Sequence, residues 1–425
     1  MYKGRNLTSS QVTTLLVDVA VIVLLARALG ALASRFDQPP VIGEVFAGIL
    51  VGPSLFHGAI SDTLFPTDVR PFLTALANIG VAVFMFIVGL ELDRALLRGR
   101  GRLAATVSIG SILLPFGFGT ALALYLATTH NPTHRLGFVL FMGAAVSVTA
   151  FPVLARILTD RRMQHTRLGG LALTCAAVDD VLAWSLLAIV VTITGSGDDQ
   201  WRMLLMLPYL ALMLLVVRPL LRRVGEAYLR AGALTPGTIG VVLAGLLLSA
   251  SVTEWIGLHF IFGAFLFGVL MPRDGTARLR DELLEKVGQV STVLLLPVFF
   301  VIAGLKVDLS AVGLGGLGEL CLILLAAIGG KFVGAFAGAR LNRLPVREAA
   351  ALATLMNTRG LTELIILSVG LQLGVLDGAL YSLMVVMAVV TTAMAGPLLR
   401  MIYPRRYVQR DREEAVLRGG VVSKA

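Results

Sequence analysis

Cys175-Ala-Ala-Val-Asp-Asp-Val-Leu-Ala-Trp184 sets two adjacent carboxylates, Asp179 and Asp180, halfway along an apolar run long enough to cross a membrane. A carboxylate at bilayer depth costs about 2.5 to 3.5 kcal/mol on insertion scales, so two together require a compensating partner, a bound cation or protons. Each of those options is a statement about ion chemistry. The plainer alternative is that the pair glues helices through interhelical hydrogen bonds, a job that a single Asn or Thr does more cheaply.

The rest of the chain supplies the membrane that this stretch requires. Of its 425 residues 57% are hydrophobic and 15% charged, and the mean hydropathy is +0.86, outside the range of soluble globular domains. The chain reads as an all-α polytopic membrane protein. Its net charge of +10 does not point to nucleic acid, because Lys and Arg cluster in short gaps between apolar spans rather than on one face or tail. Cys175 and Cys321, both inside apolar runs, exclude a disulfide framework and a Cys-based metal site. Met1 to Thr13 lack the features of a cleaved secretory signal, so the first span is expected to stay in the mature protein.

Apolar runs bounded by charge, Gly and Pro give about thirteen spans, near 14 to 34, 40 to 56, 72 to 90, 103 to 127, 136 to 158, 168 to 194, 203 to 221, 236 to 253, 258 to 272, 288 to 305, 315 to 338, 347 to 371 and 378 to 400. Alternate gaps are basic: Arg94, Arg98, Arg100 and Arg102; Arg161, Arg162 and Arg167; Arg222, Arg223 and Arg230; Arg273, Arg278, Arg280 and Lys286; Arg340, Arg343 and Arg347; Arg405, Arg406, Arg410 and Arg412. The opposite gaps hold Asp62, Asp68, Asp198 and Asp199. The positive-inside rule then expects a multi-pass protein of the plasma (inner) membrane with its N-terminus outside and its C-terminus in the cytoplasm.

The chain also resembles itself. Phe84-Met-Phe-Ile-Val-Gly-Leu-Glu-Leu-Asp93 is similar to Phe299-Phe-Val-Ile-Ala-Gly-Leu-Lys-Val-Asp308, and Val41-Ile-Gly-Glu-Val-Phe-Ala-Gly48 to Ile261-Phe-Gly-Ala-Phe-Leu-Phe-Gly268. Ala177-Val-Asp-Asp180 falls opposite Val389-Val-Thr-Thr392. The shift is roughly 215 positions, and one span separates the halves, so they enter the membrane in opposite senses as two inverted six-helix repeats. The span before each of these last positions reads as broken, by Ser147-Val-Thr-Ala-Phe-Pro152 in one half and by Asn357-Thr-Arg-Gly360 in the other. A simple proline kink is the alternative in the first, but breaks at matching places point to crossed discontinuous helices that expose helix ends to an ion.

Four charges fall deep in the matched spans: Asp179, Asp180, Lys331 and Arg359, and they cancel formally. Lys331 lies about nine residues, or roughly 13 Å at helical rise, from the end marked by Arg340. It is expected to pair with an aspartate when no ion is bound, as a salt-bridge switch in which cation and proton compete for one site. Asp180 is assigned the ion and Asp179 the lysine, although spacing alone does not rank the two. Thr149 and the backbone at the break add oxygens suited to a hard monovalent cation. Arg359 is expected to hold the broken span structurally through Glu363, one turn on. Glu44 is also intramembrane and reads equally as a packing residue. Arg27 and Arg156 are expected to snorkel, and the histidines at 57, 130, 134, 165 and 259 lack metal-ligand spacing.

At these residues the chain resembles the monovalent cation:proton antiporter-2 family, which includes NapA-type Na+/H+ antiporters and plant cation/H+ exchangers. The similarity runs nearly end to end, through Gln38-Pro-Pro-Val-Ile-Gly-Glu-Val-Phe-Ala-Gly-Ile-Leu-Val-Gly-Pro-Ser54, Thr149-Ala-Phe-Pro-Val-Leu-Ala-Arg-Ile-Leu158, Ala177-Val-Asp-Asp180, Gly263-Ala-Phe-Leu-Phe-Gly268 and Asn357-Thr-Arg-Gly-Leu-Thr-Glu-Leu364. The resemblance implies an NhaA/NapA-like fold, a homodimer in the lipid bilayer, and a core that moves like an elevator. Residues 1–102 and 233–312 would then be the dimer domain, 103–195 and 313–402 the core, 196–232 the linker helix and 403–425 a cytoplasmic tail. It further implies that Asp180 binds the ion while Asp179 pairs with Lys331, and that an Asp-Asp pair goes with electrogenic exchange. No cofactor is expected beyond the transported Na+ or K+ and H+. About 25 residues follow the last span without a dinucleotide fingerprint, so nucleotide gating through a tail domain is not expected.

Other classes fit less well. An intramembrane aspartyl protease needs its two aspartates on different helices facing a substrate, whereas these are neighbours. A sodium-coupled organic anion carrier would not need an Asp-Asp-Lys switch. A channel-like K+ efflux protein is closer, and the absent regulatory domain argues against its gated form. The expectation is a secondary transporter and not an enzyme. The asparagine-containing break leans toward K+ and the Asp-Asp pair toward Na+, and the sequence does not choose between them.

Overall fold

A computed structural model describes residues 8–54, 58–91, 101–163, 166–194, 205–272, 276–310, 313–404 and 406–411. His57, Arg94, Arg98, Arg100, His165, Asp198, Asp199, Arg273, Arg405 and Arg412 lie outside the described residues, as does the tail beyond 411.

Among the described residues the regular structure is helical throughout. In order the helices are α1 Ser9–Arg35, α2 Pro40–Val51, α3 Ala59–Leu64, α4 Arg70–Glu91, α5 Gly101–His130, α6 Arg135–Ser147, α7 Phe151–Asp160, α8 Arg167–Thr194 and α9 Met206–Leu212. They continue as α10 Arg218–Ala231, α11 Pro236–Ile256, α12 Phe260–Val269, α13 Ala277–Val290, α14 Leu296–Leu305, α15 Leu314–Leu341, α16 Val346–Met356, α17 Leu361–Gln372 and α18 Gly378–Ile402. Wide π turns, Met213–Val217 and Ser291–Leu295, join α9 to α10 and α13 to α14. Pro219 and Pro297, which lack an N–H donor, follow them directly.

Nine helical stretches among the described residues are long and apolar enough to cross a membrane, and Pro40–Val51, Phe260–Val269 and Leu361–Gln372 are apolar but shorter. The chain is a multi-pass membrane protein. About thirteen spans were expected from runs of apolar residues, and the difference has local causes. Gly52-Pro53 stops α2, because the residue before a proline is driven out of helical geometry. The run near 347 to 371 is two helices with a break between them, whereas the run near 136 to 158, also broken, still counts among the nine as Arg135–Thr159. Arg222, Arg223 and Arg230 lie on α10, and Arg278, Arg280 and Lys286 on α13, where loops were expected. Arg, Leu, Glu and Lys are good helix formers. Tyr228 Oη donates to Glu282 Oε1 at 2.8 Å and the Leu234 amide to Glu282 Oε2 at 3.1 Å, which ties α10 to α13.

The helices sort into two units. The first takes the described residues of Met1–Leu32, Gly43–Leu92 and Gly195–Ser310, and the second those of Ala33–Ile42, Asp93–Thr194 and Ala311–Ala425. Lipid supplies no hydrophobic drive between helices, so small residues that let backbones touch have to hold them. In the first unit Gly48 and Gly304 bring α2 against α14, and Gly89 and Gly268 bring α4 against α12; a Cβ on any of the four would overlap a carbonyl of the facing helix. In the second unit Gly110 and Gly334 do the same for α5 and α15. At one end of the second unit the His130 ring, which closes α5, stands between Glu319 Oε2 of α15 at 3.2 Å and Asp377 Oδ2 at 2.5 Å. Asp377 is the N-cap of α18, accepting from the Leu380 amide at 2.7 Å.

The crossing of α5 and α15 gives a stability test. Gly334→Ala is expected to lower the thermal unfolding midpoint in detergent, at an overpacking cost of about 1 to 3 kcal/mol. Gly329→Ala, where an added Cβ meets nothing within 4 Å, should leave the midpoint unchanged or raise it. Equal effects would mean that the crossing does not limit stability.

Candidate functional site

The centre of the second unit is a pair of interrupted helices. α6 ends at Ser147, and Val148, Thr149 and Ala150 run extended into α7. Pro152 sits in the first turn of α7, where its missing N–H costs nothing. α16 ends at Met356 and α17 starts at Leu361, with Asn357 to Gly360 between. A Cβ at Gly360 would overlap the Val153 side chain. The two breaks bond to each other: the Ala150 amide donates to Thr358 O at 3.0 Å, and Thr149 Oγ1 lies 3.0 Å from Met356 O.

Interrupting α6 leaves its last carbonyls without intrahelical donors, at the negative end of the helix dipole. Two cations from the other half of the chain fill that role. Arg359 Nη1 donates to Ala145 O at 2.8 Å and Nη2 to Val146 O, while Lys331 Nζ donates to Ser147 O. Each cation also meets a carboxylate. Arg359 Nη1 lies 3.0 Å from Glu363 Oε2, and Lys331 Nζ lies 3.3 Å from Asp179 Oδ2. That same oxygen accepts from Ser111 Oγ at 2.7 Å and Thr149 Oγ1 at 2.8 Å.

Asp180 is different. Neither of its carboxylate oxygens has a hydrogen-bond partner among the described residues, although it is only 3% exposed. The backbone amide of Phe151, first residue of α7, lies beside it, so the positive end of a half-helix faces this group. Asp179, Lys331, Arg359 and Glu363 are 0% exposed. Asp179, Asp180 and Glu363 carry three negative charges against two positive ones on Lys331 and Arg359, so with all five ionised the cluster holds one excess negative charge. A dry carboxylate in that position is satisfied by one proton or one monovalent cation. Asp179 Oδ1 and Asn357 Oδ1 are also without partners, and they are the kind of hard oxygens an alkali cation takes. Among the described residues no three His, Cys, Asp or Glu gather as a metal centre.

The structure therefore brings together Asp179, Asp180, Thr149, Lys331, Arg359 and Glu363. Thr149 donates to Asp179 or the Met356 carbonyl, which leaves its lone pairs for a further donor or cation. Thr392, opposite Asp180 in the sequence comparison, fixes the second break: its Oγ1 accepts from the Arg359 amide at 3.2 Å and lies 2.7 Å from the Arg359 carbonyl. Glu44 belongs to the first unit and is no part of this cluster. Ser111 and the α6 carbonyls were missed from sequence. Ser108 and Ser111, two buried hydroxyls one helical turn apart in an apolar span, were the available signal.

Comparison with known proteins supports one family. The family model for the transmembrane sodium/hydrogen exchangers matches residues 20–403. The chain is 42% identical to the Na+/H+ antiporter NhaS4 of Synechocystis, covering 92% of this chain and 97% of that protein. It is 36% identical to the cation/H+ antiporter 20 of Arabidopsis thaliana and 33% identical to the K+/H+ antiporter 1 of Saccharomyces cerevisiae, over 96% and 94% of this chain. It spans about half the length of these two, 51% and 47%. In fold it is similar to the sodium proton antiporter MjNhaP1 of Methanocaldococcus jannaschii, with a TM-score of 0.67 at 15% identity, over 94% of this chain and 99% of that one.

Removing one member of the buried Lys331–Asp179 pair is expected to be expensive. Lys331→Gln should cost about 3 to 5 kcal/mol, because it strands a buried carboxylate. Adding Asp179→Asn should return part of that loss, with a coupling of about 0.5 to 3 kcal/mol in a double-mutant cycle read by chemical or thermal unfolding in detergent. Additive losses would mean that the two are not energetically linked.

Proposed function

This chain belongs to the sodium/hydrogen exchanger family, and we propose that it is a secondary active antiporter that exchanges protons for a monovalent alkali cation, Na+ or K+, at Asp180. The observation that carries this reading is the buried Asp180 carboxylate, whose two oxygens have no hydrogen-bond partner in a cluster with one excess negative charge. Such a group passes between a protonated and a cation-bound form without leaving charge unbalanced. The exchange activities for which these relatives are named, Na+/H+ in Synechocystis and K+/H+ in yeast, lie on both sides of the choice of ion.

In this scheme a cation reaches Asp180 and takes further oxygens from Asp179, Thr149 and the break. Its charge weakens the hold of Asp179 on Lys331, which keeps the Ser147 carbonyl as its acceptor. Protons arriving from the other side neutralise the carboxylates and release the cation. Two aspartates and a lysine provide more than one proton position, which favours electrogenic exchange. Arg359 and Glu363 stay in place as the frame of the broken helices.

The site lies wholly within the second unit, which supports an elevator motion in which that unit carries the ion as a body. Inverted repeats gain support from the glycine contacts. Gly48 corresponds to Gly268 and Gly89 to Gly304 in the sequence comparison, and the observed pairs are Gly48 with Gly304 and Gly89 with Gly268. A two-fold relation between the halves turns one pair into the other. The same scheme includes a homodimer in the lipid bilayer, with the C-terminus in the cytoplasm.

Proteoliposomes with an imposed pH gradient test the proposal. Collapse of the gradient on adding Na+, Li+ or K+, but not choline, is expected for the native chain, and no collapse for Asp180→Asn. Under competition for one carboxylate, the apparent KM for the cation should rise about tenfold for each unit of acidification below the site's titration. A KM independent of pH across the active range would remove the shared site.

A further inference from the structure

At one end of the second unit, the end of α1, the corner after it, α7 and the end of α18 enclose a cavity of about 1050 Å³. Its wall carries four arginines, Arg156, Arg161, Arg162 and Arg400, against one acid, Asp37. Among the described lining residues that is an excess of three positive charges. A cavity of this sign repels an alkali cation, so it makes a poor entry route for one. It attracts anions.

Each guanidinium carries five N–H donors in a planar fork, more than one contact uses. Arg400 is ion-paired with Asp37, and Arg161 Nη2 donates to Gly396 O at 2.9 Å. Gln38, beside Asp37, has a buried Oε1 with no partner, which calls for a hydroxyl or amine donor. Asp37 and Arg162, both lining the cavity, hold positive φ, 57° and 55°, a conformation rare for residues with a side chain. Guanidinium groups bind phosphate oxygens bidentately, and basic pockets between the ends of membrane helices hold phosphate headgroups. The volume exceeds what a bare phosphate fills and matches a small organic ligand.

We propose that this cavity binds a phosphate ester, held through its phosphate by the arginines and through a hydroxyl or amine by Gln38, and that the bound anion takes Arg400 from Asp37. The ester is either the headgroup of an anionic phospholipid or a soluble nucleotide; both offer a phosphate beside hydroxyl groups. Loss of the Arg400–Asp37 pair releases the corner between α1 and α2 from α18, so occupancy is coupled to the freedom of that corner.

The test uses the full chain in nanodiscs of phosphatidylcholine alone, or of phosphatidylcholine mixed with phosphatidylglycerol, with thermal unfolding and equilibrium binding as readouts. A nucleotide site predicts that ATP raises the unfolding midpoint in the neutral discs. A lipid site predicts that phosphatidylglycerol raises it without ATP. In either case Arg161→Gln with Arg400→Gln is expected to weaken binding at least about tenfold, the loss of one strong charge-assisted contact. Asp37→Asn, which removes the competitor, should strengthen it. Arg156→Gln with Arg162→Gln changes only exposed side chains and provides the same test if the first pair folds poorly. Arg230→Gln, outside the cavity, should change nothing.

No midpoint shift with ATP or phosphatidylglycerol overturns the proposal. So does a shift that survives both arginine pairs, or one that Arg230→Gln reduces equally. Inorganic phosphate binding as tightly as ATP in the neutral discs would overturn the assignment to an ester. The readout is binding, so the cavity and the antiport reading stand or fall separately.

Discussion

An interrupted helix in a membrane must satisfy the carbonyls it exposes, and in this protein the groups that do so are charged. Arg359 and Lys331 cap the carboxyl end of α6 from elsewhere in the chain. An unmet carbonyl in hydrocarbon costs several kcal/mol. Once two cations are committed to that helix end, they need counter-charges, and Glu363 and Asp179 supply them. The frame of the broken helices and the chemistry of the carboxylates are thus one electrostatic problem.

Asp180 is the remainder of that balance. Asp179 is held by Ser111, Thr149 and Lys331 through one oxygen, whereas its neighbour has the amide end of α7 beside it. Adjacent residues on a helix point about 100° apart, so one aspartate turns toward α15 and the other toward the break. Identical side chains acquire different tasks because the helix separates them. Under the proposed antiport the frame keeps its hydrogen bonds while Asp180 exchanges one positive species for another. That division is what a carrier requires of a site that must empty as readily as it fills.

Packing around the site follows the same economy. Backbone contact at Gly110 and Gly334 brings α5 and α15 close enough for Ser111 and Lys331 to reach one carboxylate from two helices. A larger residue at either crossing would move a donor by more than a hydrogen bond tolerates. The glycine pairs of the first unit serve its own α2, α4, α12 and α14 in the same way. At the far end of the second unit the His130, Glu319 and Asp377 group joins three helix ends with charge rather than with apolar contact.

Sequence alone determined that the chain is a helical membrane protein, where its long apolar helices lie, where two of its apolar runs break, and which charges stand at depth. These follow from local physics: apolar runs measure the bilayer, proline and glycine interrupt helices, and a carboxylate at depth has to be answered. Lys331, Asp179 and Asp180 could be selected because each is costly where it stands. Tertiary structure decided which partner each one takes. That Lys331 faces Asp179, that Ser111 joins them, that Arg359 serves the carbonyls of Ala145 and Val146 as well as Glu363, and that Asp180 has no hydrogen-bond partner among the described residues all depend on helices 68 to 214 residues apart in sequence meeting at one place. The arginine-lined cavity was likewise illegible, since Arg156 read singly as a residue that snorkels, and Arg161 and Arg162 as marks of a basic gap. Spacing along a chain fixes rise and face within one helix, and it carries no measure of the angle at which two helices meet.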